Sequence, residues 1–189
     1  MKPHAELFCG LDVKPLIAQL EEHTDLWAMH TLRQDYPGSA HAETECIFVR
    51  GPRGFTPELY FNDLGSVDFL AMAWLTEAMP LVEEVCSKLG VTAIGRVLIV
   101  KLKAGGTLDP HVDEGLYADH FSRLHIPLTT NSACFNITAG KFSHWAPGTV
   151  WWFDHKCRHY AVNGGETDRV HLIVDVVIPN LEDILSPEK

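Results

Sequence analysis

The chain has 189 residues, enough for one domain with a hydrophobic core and short for two. Hydrophobic residues make up 46% and charged residues 21%, which is typical of a globular fold and excludes a disordered chain. The formal net charge of −10 disfavours nucleic-acid binding, because such a surface repels a phosphate backbone. No apolar run approaches the roughly 18 residues of a membrane span, so we expect no membrane association.

The five cysteines are well separated and form no Cys-x-x-Cys pair. This spacing favours reduced thiols in a cytoplasmic setting over a disulfide framework or a cysteine zinc site. The first ten residues, MKPHAELFCG, lack a charged region followed by a long apolar stretch, so we expect no secretion signal.

Helical and loop patterns alternate in the first half of the chain. Apolar spacing predicts one helix over Asp12–His23 and a longer one over Ser66–Leu89, whose first serine can act as its N-cap. Pro80 is expected to kink or split the longer helix, and Gly90 to end it. A strand is predicted at Glu45–Arg50.

The second half has the pattern of short strands separated by turns rich in Gly and Asn. Eight strands are predicted, at Arg96–Lys103, Leu108–Asp113, Arg123–Thr129, Cys134–Thr138, Lys141–Trp145, Thr149–Phe153, His159–Asn163 and Val170–Ile178. This number of short strands indicates a mainly β fold, and we expect an eight-stranded, cupin-like jelly roll backed by N-terminal helices. Residues 1–189 then form a single domain: a helical, lid-like part over 1–95, a jelly-roll core over 96–178 and a tail over 179–189.

The triplet His111-Val112-Asp113 is a candidate for metal binding. Residues two apart on a strand point to the same side, so the imidazole and the carboxylate can meet one cation. Two imidazoles and one carboxylate with open positions suit non-heme Fe(II). The residues alone leave the third ligand open, among His144, His155, His159 and His171.

Two arginine-histidine pairs are expected to face the interior of the roll. Strand alternation places Arg123 and His125 on the side opposite their leucine neighbours, and Arg169 and His171 in the same way. A buried arginine requires an anion, supplied by the protein or by a ligand. Two such arginines beside a metal fit a 2-oxo diacid that chelates the metal at one end and pairs with a guanidinium at the other.

Several linked motifs resemble the aspartyl/asparaginyl β-hydroxylase family. They are PHVD, RLHIPL, PGTVWWFDHKCRHYAVN and RVHLIVDV, which cover about residues 97–178. The resemblance implies a double-stranded β-helix and a dioxygenase that uses Fe(II), the cosubstrate 2-oxoglutarate and O2, with release of succinate and CO2. Because Asp113 is retained, the chain is most similar to the microbial branch, which includes free-proline hydroxylases.

The family pattern also implies roles for individual residues. It assigns the iron ligands His111, Asp113 and His159, since a histidine six residues after Phe153 matches the family spacing. Arg169 would bind the distal carboxylate of 2-oxoglutarate.

The proximal carboxylate of 2-oxoglutarate would be contacted by Arg123 and His125. Lys101 stands where the family often has a small polar residue, and its role is left open.

The substrate implied by the resemblance carries an amino-acid side chain with an unactivated C–H bond. A peptide or protein is the first expectation, and a free amino acid such as proline is the alternative. Arg33, His41 and Arg50 are candidate substrate residues in a segment that can fold over the mouth of the roll. Two other functions remain: a 2-oxoglutarate-independent cupin metalloenzyme, or a non-catalytic module that binds a small acid.

Overall fold

Two antiparallel sheets face each other in the structure, a computed structural model that describes residues 2–35 and 37–186. The strands are β1 His4–Phe8, β2 Thr44–Pro52, β3 Ser66–Asp68, β4 Ala93–Leu102, β5 Thr107–His111, β6 Ser122–Thr129, β7 Cys134–Thr138, β8 Lys141–Ser143, β9 Val150–Phe153, β10 His159–Asn163 and β11 Arg169–Val177. The large sheet has the order β1-β9-β6-β11-β4-β2-β3, and the small sheet has the order β5-β10-β7-β8. Strands β4 to β11 are the eight predicted ones, so the mainly β jelly roll is confirmed.

Short helical segments surround the large sheet, some on its outer face and others beside the cavity near the mouth of the roll. They are α1 Lys14–Glu22, a 3-10 turn Thr24–Ala28, α2 Leu32–Asp35, α3 Pro57–Phe61, α4 Ala71–Trp74, α5 Ala78–Leu89, α6 Leu116–His120 and α7 Leu181–Leu185. The main core lies between α1, α4, α5 and alternate sheet residues such as Leu124, Ile126, Leu172 and Val174. None of the helices within the described ranges has the length and apolar character needed to span a bilayer.

The predicted helix over Ser66–Leu89 is wrong in its first part. The structure has the strand β3 and the helix α4 before α5, and Ser66 lies on β3. Proline lacks an amide hydrogen and is tolerated in the first turn of a helix, so α5 begins two residues before Pro80. Gly90 ends α5 with a left-handed φ of 63°, as predicted.

The first half contributes more to the sheet than its pattern predicts. Besides β2, which confirms the strand predicted at Glu45–Arg50, it supplies β1 and β3, which extend the two edges of the large sheet. β1 pairs with β9, so the N-terminal segment is part of the roll itself. The five cysteines are free thiols, as expected.

Asn163 connects three parts of the roll from a fully buried position. Its Nδ2 donates to the carbonyl oxygens of Leu102, Lys103 and Thr167 at 2.9 to 3.1 Å. Its Oδ1 accepts a hydrogen bond from Asn131 Nδ2 at 3.0 Å. The sequence favours a simple turn residue here, but the side chain joins the end of β4 to the loop after β10.

We expect Asn163→Ala to lower the free energy of unfolding by about 2–4 kcal/mol, because the substitution removes a fully buried amide that makes at least four hydrogen bonds between these segments. Urea unfolding followed by circular dichroism measures this change. Asn180→Ala, at an exposed position whose side chain does not cap α7, is the matched control, with an expected loss of under about 1 kcal/mol. Equal losses in the two variants would contradict the role given to Asn163.

Candidate metal centre and adjoining cavities

Three side chains with metal-binding donors meet between β5 and β10. His159 is the register partner of His111 in the small sheet, so the two imidazoles are neighbours. Asp113 follows β5 by two residues and brings a carboxylate to the same point. One donor atom of each lies within 4.8 Å of the others. The predicted His-Asp-His set therefore forms a triad that could hold a metal ion.

The backbone orients both imidazoles of the triad. His111 Nδ1 donates to Asp109 O at 2.7 Å, and His159 Nδ1 donates to Cys157 O at 3.0 Å. Each ring therefore keeps Nε2 as the free acceptor, and such an outer hydrogen bond is typical of metal-binding histidines. Burial lowers the pKa of His159 to about 4, so its imidazole stays neutral and able to bind a cation.

The other histidines that the sequence left open as ligands are engaged elsewhere. His155 Nε2 donates to Ala118 O at 2.9 Å, and His144 Nδ1 donates to Cys134 O at 2.9 Å. His171 lies beside His125, with 3.2 Å between their Nδ1 atoms. The geometry therefore selects His159 as the third donor.

Arg123 joins the triad to the large sheet through two carboxylates. Its Nη1 donates to Asp113 Oδ2 at 2.5 Å, and its Nε donates to Asp175 Oδ1 at 2.8 Å. Asp175 is opposite Arg123 in the β6–β11 pairing and is 1% exposed. Burial alone would raise the pKa of Asp113, but Arg123 and the neighbouring histidines together more than offset it and hold this pKa below its ordinary value. Protein carboxylates thus supply the anion that the sequence requires for Arg123.

Arg169 lies at the inner end of the roll and is 4% exposed. Its Nη2 donates to Asn136 Oδ1 and lies 3.1 Å from His171 Nδ1, while its Nε has no partner. Within the described residues, no carboxylate lies within 4.0 Å of this guanidinium. Burial lowers the pKa of Arg169 to about 10. Arg169 and His125 line a small inner cavity of about 50 Å³ that reaches His111 and His159.

A larger cavity of about 350 Å³ opens on the other side of the triad. Arg33 and His41, two of the predicted substrate residues, lie on its wall, with 3.0 Å between Arg33 Nη2 and His41 Nε2. The His41 ring is 5.0 Å from the His111 ring, measured between centroids. The structure therefore brings both residues to the metal triad.

Arg50 does not join them, and its prediction as a substrate residue is corrected by the structure. Phe48 pairs with Leu98, but the next pair is Arg50 with Val97, so β2 has one extra residue at this point. Such a bulge turns the following side chain to the other face of the sheet. Arg50 therefore faces the helices and binds Asp68 at 2.5 Å.

Lys101 also points away from the cavities. Its Nζ lies 2.5 Å from Glu45 Oε2 and 4.2 Å from the centre of the Trp27 ring, on the helix side of β4. Val100 occupies the inner position beside it. Sequence reasoning missed Arg96, which lines the outer cavity; its alternation with the inward Leu98 and Val100 was the available signal.

Solved structures of low sequence identity share this fold. An oxidoreductase of the 2OG-Fe(II) oxygenase family from Burkholderia pseudomallei aligns over 91% of this chain and 93% of its own, with 15% identity and a TM-score of 0.54. The viral collagen prolyl hydroxylase vCPH from Paramecium Bursaria Chlorella virus-1 aligns over 93% and 96%, with 11% identity and a TM-score of 0.54. These likenesses confirm the jelly-roll fold.

Sequence comparison gives a more specific relationship. An L-proline cis-4-hydroxylase from Rhizobium meliloti (strain 1021) is 30% identical over 102 residues, which are 53% of this chain and only 36% of that enzyme. The family model for aspartyl/asparaginyl β-hydroxylases matches residues 60–179, more than half of the chain and all of the predicted catalytic motifs. The chain therefore belongs to the aspartyl/asparaginyl β-hydroxylase family.

Proposed function

We propose that this protein is an Fe(II)- and 2-oxoglutarate-dependent dioxygenase that hydroxylates an unactivated C–H bond of a free amino acid. One observation carries the proposal: the metal triad lies where two cavities meet. His111 and Arg123 line both of them. The inner cavity ends at a buried guanidinium without a carboxylate partner, and the outer one has the size of a small-molecule site.

The residues present fit the two groups that the family requires. Two neutral imidazoles and one carboxylate are the donor set that leaves positions open on Fe(II). The unpaired Nε of Arg169 fits the distal carboxylate of 2-oxoglutarate, and such a pair offsets the cost of burying this cation. When bound, iron and 2-oxoglutarate would supply the oxidising power, with O2 consumed and succinate and CO2 released.

The chain's own side chains position and shield this chemistry. Burial and the charge of Arg169 hold the pKa of His125 well below its ordinary value. His125 is therefore a neutral group, and it faces the inner cavity. We assign it, with the remaining N–H groups of Arg123, to the proximal carboxylate of 2-oxoglutarate. The aromatic wall of the inner cavity, Trp145 and Phe153, limits the access of water.

Two features favour a free amino acid over the polypeptide substrate that the sequence resemblance suggested first. The outer cavity, at about 350 Å³, is close to the lower end of small-molecule sites. The relative at 30% identity is named as a hydroxylase of free L-proline. A polypeptide substrate remains the alternative that the experiment below distinguishes.

We expect the purified protein with Fe(II), ascorbate and 2-oxoglutarate to release succinate slowly on its own and faster with its substrate. Mass spectrometry of free amino acids and of tryptic peptides, incubated separately, would detect a gain of about 16 mass units, one inserted oxygen atom. If only peptides are hydroxylated, the proposal of a free amino acid as substrate is wrong. If no succinate is released from 2-oxoglutarate, the proposed dioxygenase activity is wrong. That result would favour a cupin metalloenzyme of another class or a non-catalytic module.

A further inference from the structure

A second buried arginine, Arg96, faces the outer cavity with no acidic partner. It is 3% exposed, its Nη2 donates to Tyr60 O at 2.5 Å, and its Nε has no partner. In the part of the chain that the structure describes, no carboxylate oxygen lies within 4.0 Å of its guanidinium nitrogens. Burial lowers the pKa of Arg96, the result expected for a cation that the protein does not neutralise.

Two tyrosine rings hold the guanidinium in place. Its central carbon lies 3.7 Å from the ring centre of Tyr117 and 4.7 Å from that of Tyr60. The Tyr117 hydroxyl accepts a hydrogen bond from the Arg96 backbone amide at 2.7 Å, and a Cβ at Gly95 would collide with this hydroxyl. A stacked guanidinium keeps the N–H groups on its edge available for a planar anion.

The backbone of β4 is irregular at this point. Val174 pairs with Val97 and Val176 pairs with Ile94, so Gly95 and Arg96 together lie opposite the single residue Asp175. Bulges of this kind redirect side chains and are common next to active sites. Arg96 keeps the inward alternation of Leu98 and Val100 and lies among the residues of the outer cavity, directly beside this irregularity.

The acidic groups around Arg96 are already bound by other cations. Asp175 and Asp113 both accept hydrogen bonds from Arg123, and Asp63 pairs with Arg53. Arg169, deeper in the roll, is assigned to 2-oxoglutarate above. Arg96 is therefore left without an anion from the protein or the cosubstrate, and an unmatched buried charge is costly.

We propose that Arg96 anchors the carboxylate of the substrate in the outer cavity, and that the substrate is a small free carboxylic acid of amino-acid size. The inference rests on the proposed function, in which this cavity holds the molecule to be hydroxylated. An interior residue of a polypeptide has no free α-carboxylate, so the anchor also explains a preference for free amino acids. Arg33, on the same wall, contacts His41 and Cys46, but its Nε also has no partner, so the experiment below compares the two arginines.

The test compares each of the twenty free amino acids with its primary amide as a probe. The full chain is loaded with Mn(II) and 2-oxoglutarate without O2, and binding is followed by thermal shift and calorimetry. We expect one or a few acids to bind about 10- to 100-fold more tightly than their amides, the value of one charge-assisted contact. Arg96→Gln should reduce the acid to the affinity of its amide, and Arg96→Lys should retain part of the preference.

Two further variants make the result specific to this side chain. Arg53→Gln removes an exposed guanidinium that pairs with Asp63, and should keep the full acid-over-amide preference. The proposal is overturned if Arg96→Gln keeps the preference, if Arg33→Gln removes it instead, or if no free amino acid binds to the wild type. If no free amino acid binds but the wild type still releases succinate, the proposed dioxygenase function is retained. If acids bind through Arg96 but no succinate is released, the proposed dioxygenase function is wrong, and the role of Arg96 as a carboxylate anchor is retained.

Discussion

Replacing Arg169 with methionine is expected to weaken 2-oxoglutarate binding more than about 100-fold and to abolish succinate release. The guanidinium is the buried cation at the inner end of the roll, and its Nε has no partner from the described residues. Losing one member of a buried charge pair costs several kcal/mol, which corresponds to this loss of affinity. Calorimetric titration of the Mn(II)-loaded variant with 2-oxoglutarate measures the effect directly.

The Arg169→Met variant should still bind Mn(II), because His111, Asp113 and His159 are untouched. Its melting temperature should stay near that of the wild type, since methionine preserves the packing and removes an unmatched charge. Arg169→Lys should bind 2-oxoglutarate with intermediate affinity, because a lysine keeps the charge but not the planar fork. Unchanged binding in Arg169→Met would remove this residue from the cosubstrate site.

Replacing His111 with alanine is expected to eliminate metal binding and, with it, all 2-oxoglutarate turnover. His111 and His159 are the two imidazoles of the triad, and a lone imidazole with one carboxylate binds divalent ions weakly. Electron paramagnetic resonance of free Mn(II) reports the affinity, and we expect a loss of at least about 100-fold.

His144→Gln is the matched control for the metal experiment. His144 was an alternative ligand on sequence grounds, yet it donates to a backbone carbonyl outside the triad. The variant should bind Mn(II) and release succinate like the wild type. Loss of metal binding in His144→Gln but not in His111→Ala would contradict the placement of the metal site at His111, Asp113 and His159.

The jelly roll could be predicted because each of its strands has a local sequence pattern. Alternation with a period of two and turns rich in Gly and Asn predicted all eight strands, and the linked motifs predicted the family and the three donor residues that meet between β5 and β10. The same alternation correctly placed Arg123, His125, Arg169 and His171 inside the roll. These features depend on residues close together in the sequence.

The features that the sequence did not predict, or predicted wrongly, depend on contacts between distant segments. The bulge before Arg50 turns this side chain to the helix side of the sheet, and it depends on pairing with β4, a strand far away in the sequence. β1 and β3 are edge strands that gain their hydrogen bonds only from the assembled sheet. The binding of Arg123 to Asp175 likewise follows from the register of β6 with β11, which no single segment encodes.

The contact of Arg123 with Asp113 has a consequence for the choice of ion. Asp113 Oδ2 is occupied by the guanidinium, while Oδ1 lies 3.7 Å from His111 Nε2 and faces the triad. With one oxygen engaged, the carboxylate can offer a cation a single ligand atom. Calcium favours six to eight oxygen ligands and often takes carboxylates in bidentate fashion, so this arrangement discriminates against it and in favour of smaller transition-metal ions that accept nitrogen donors.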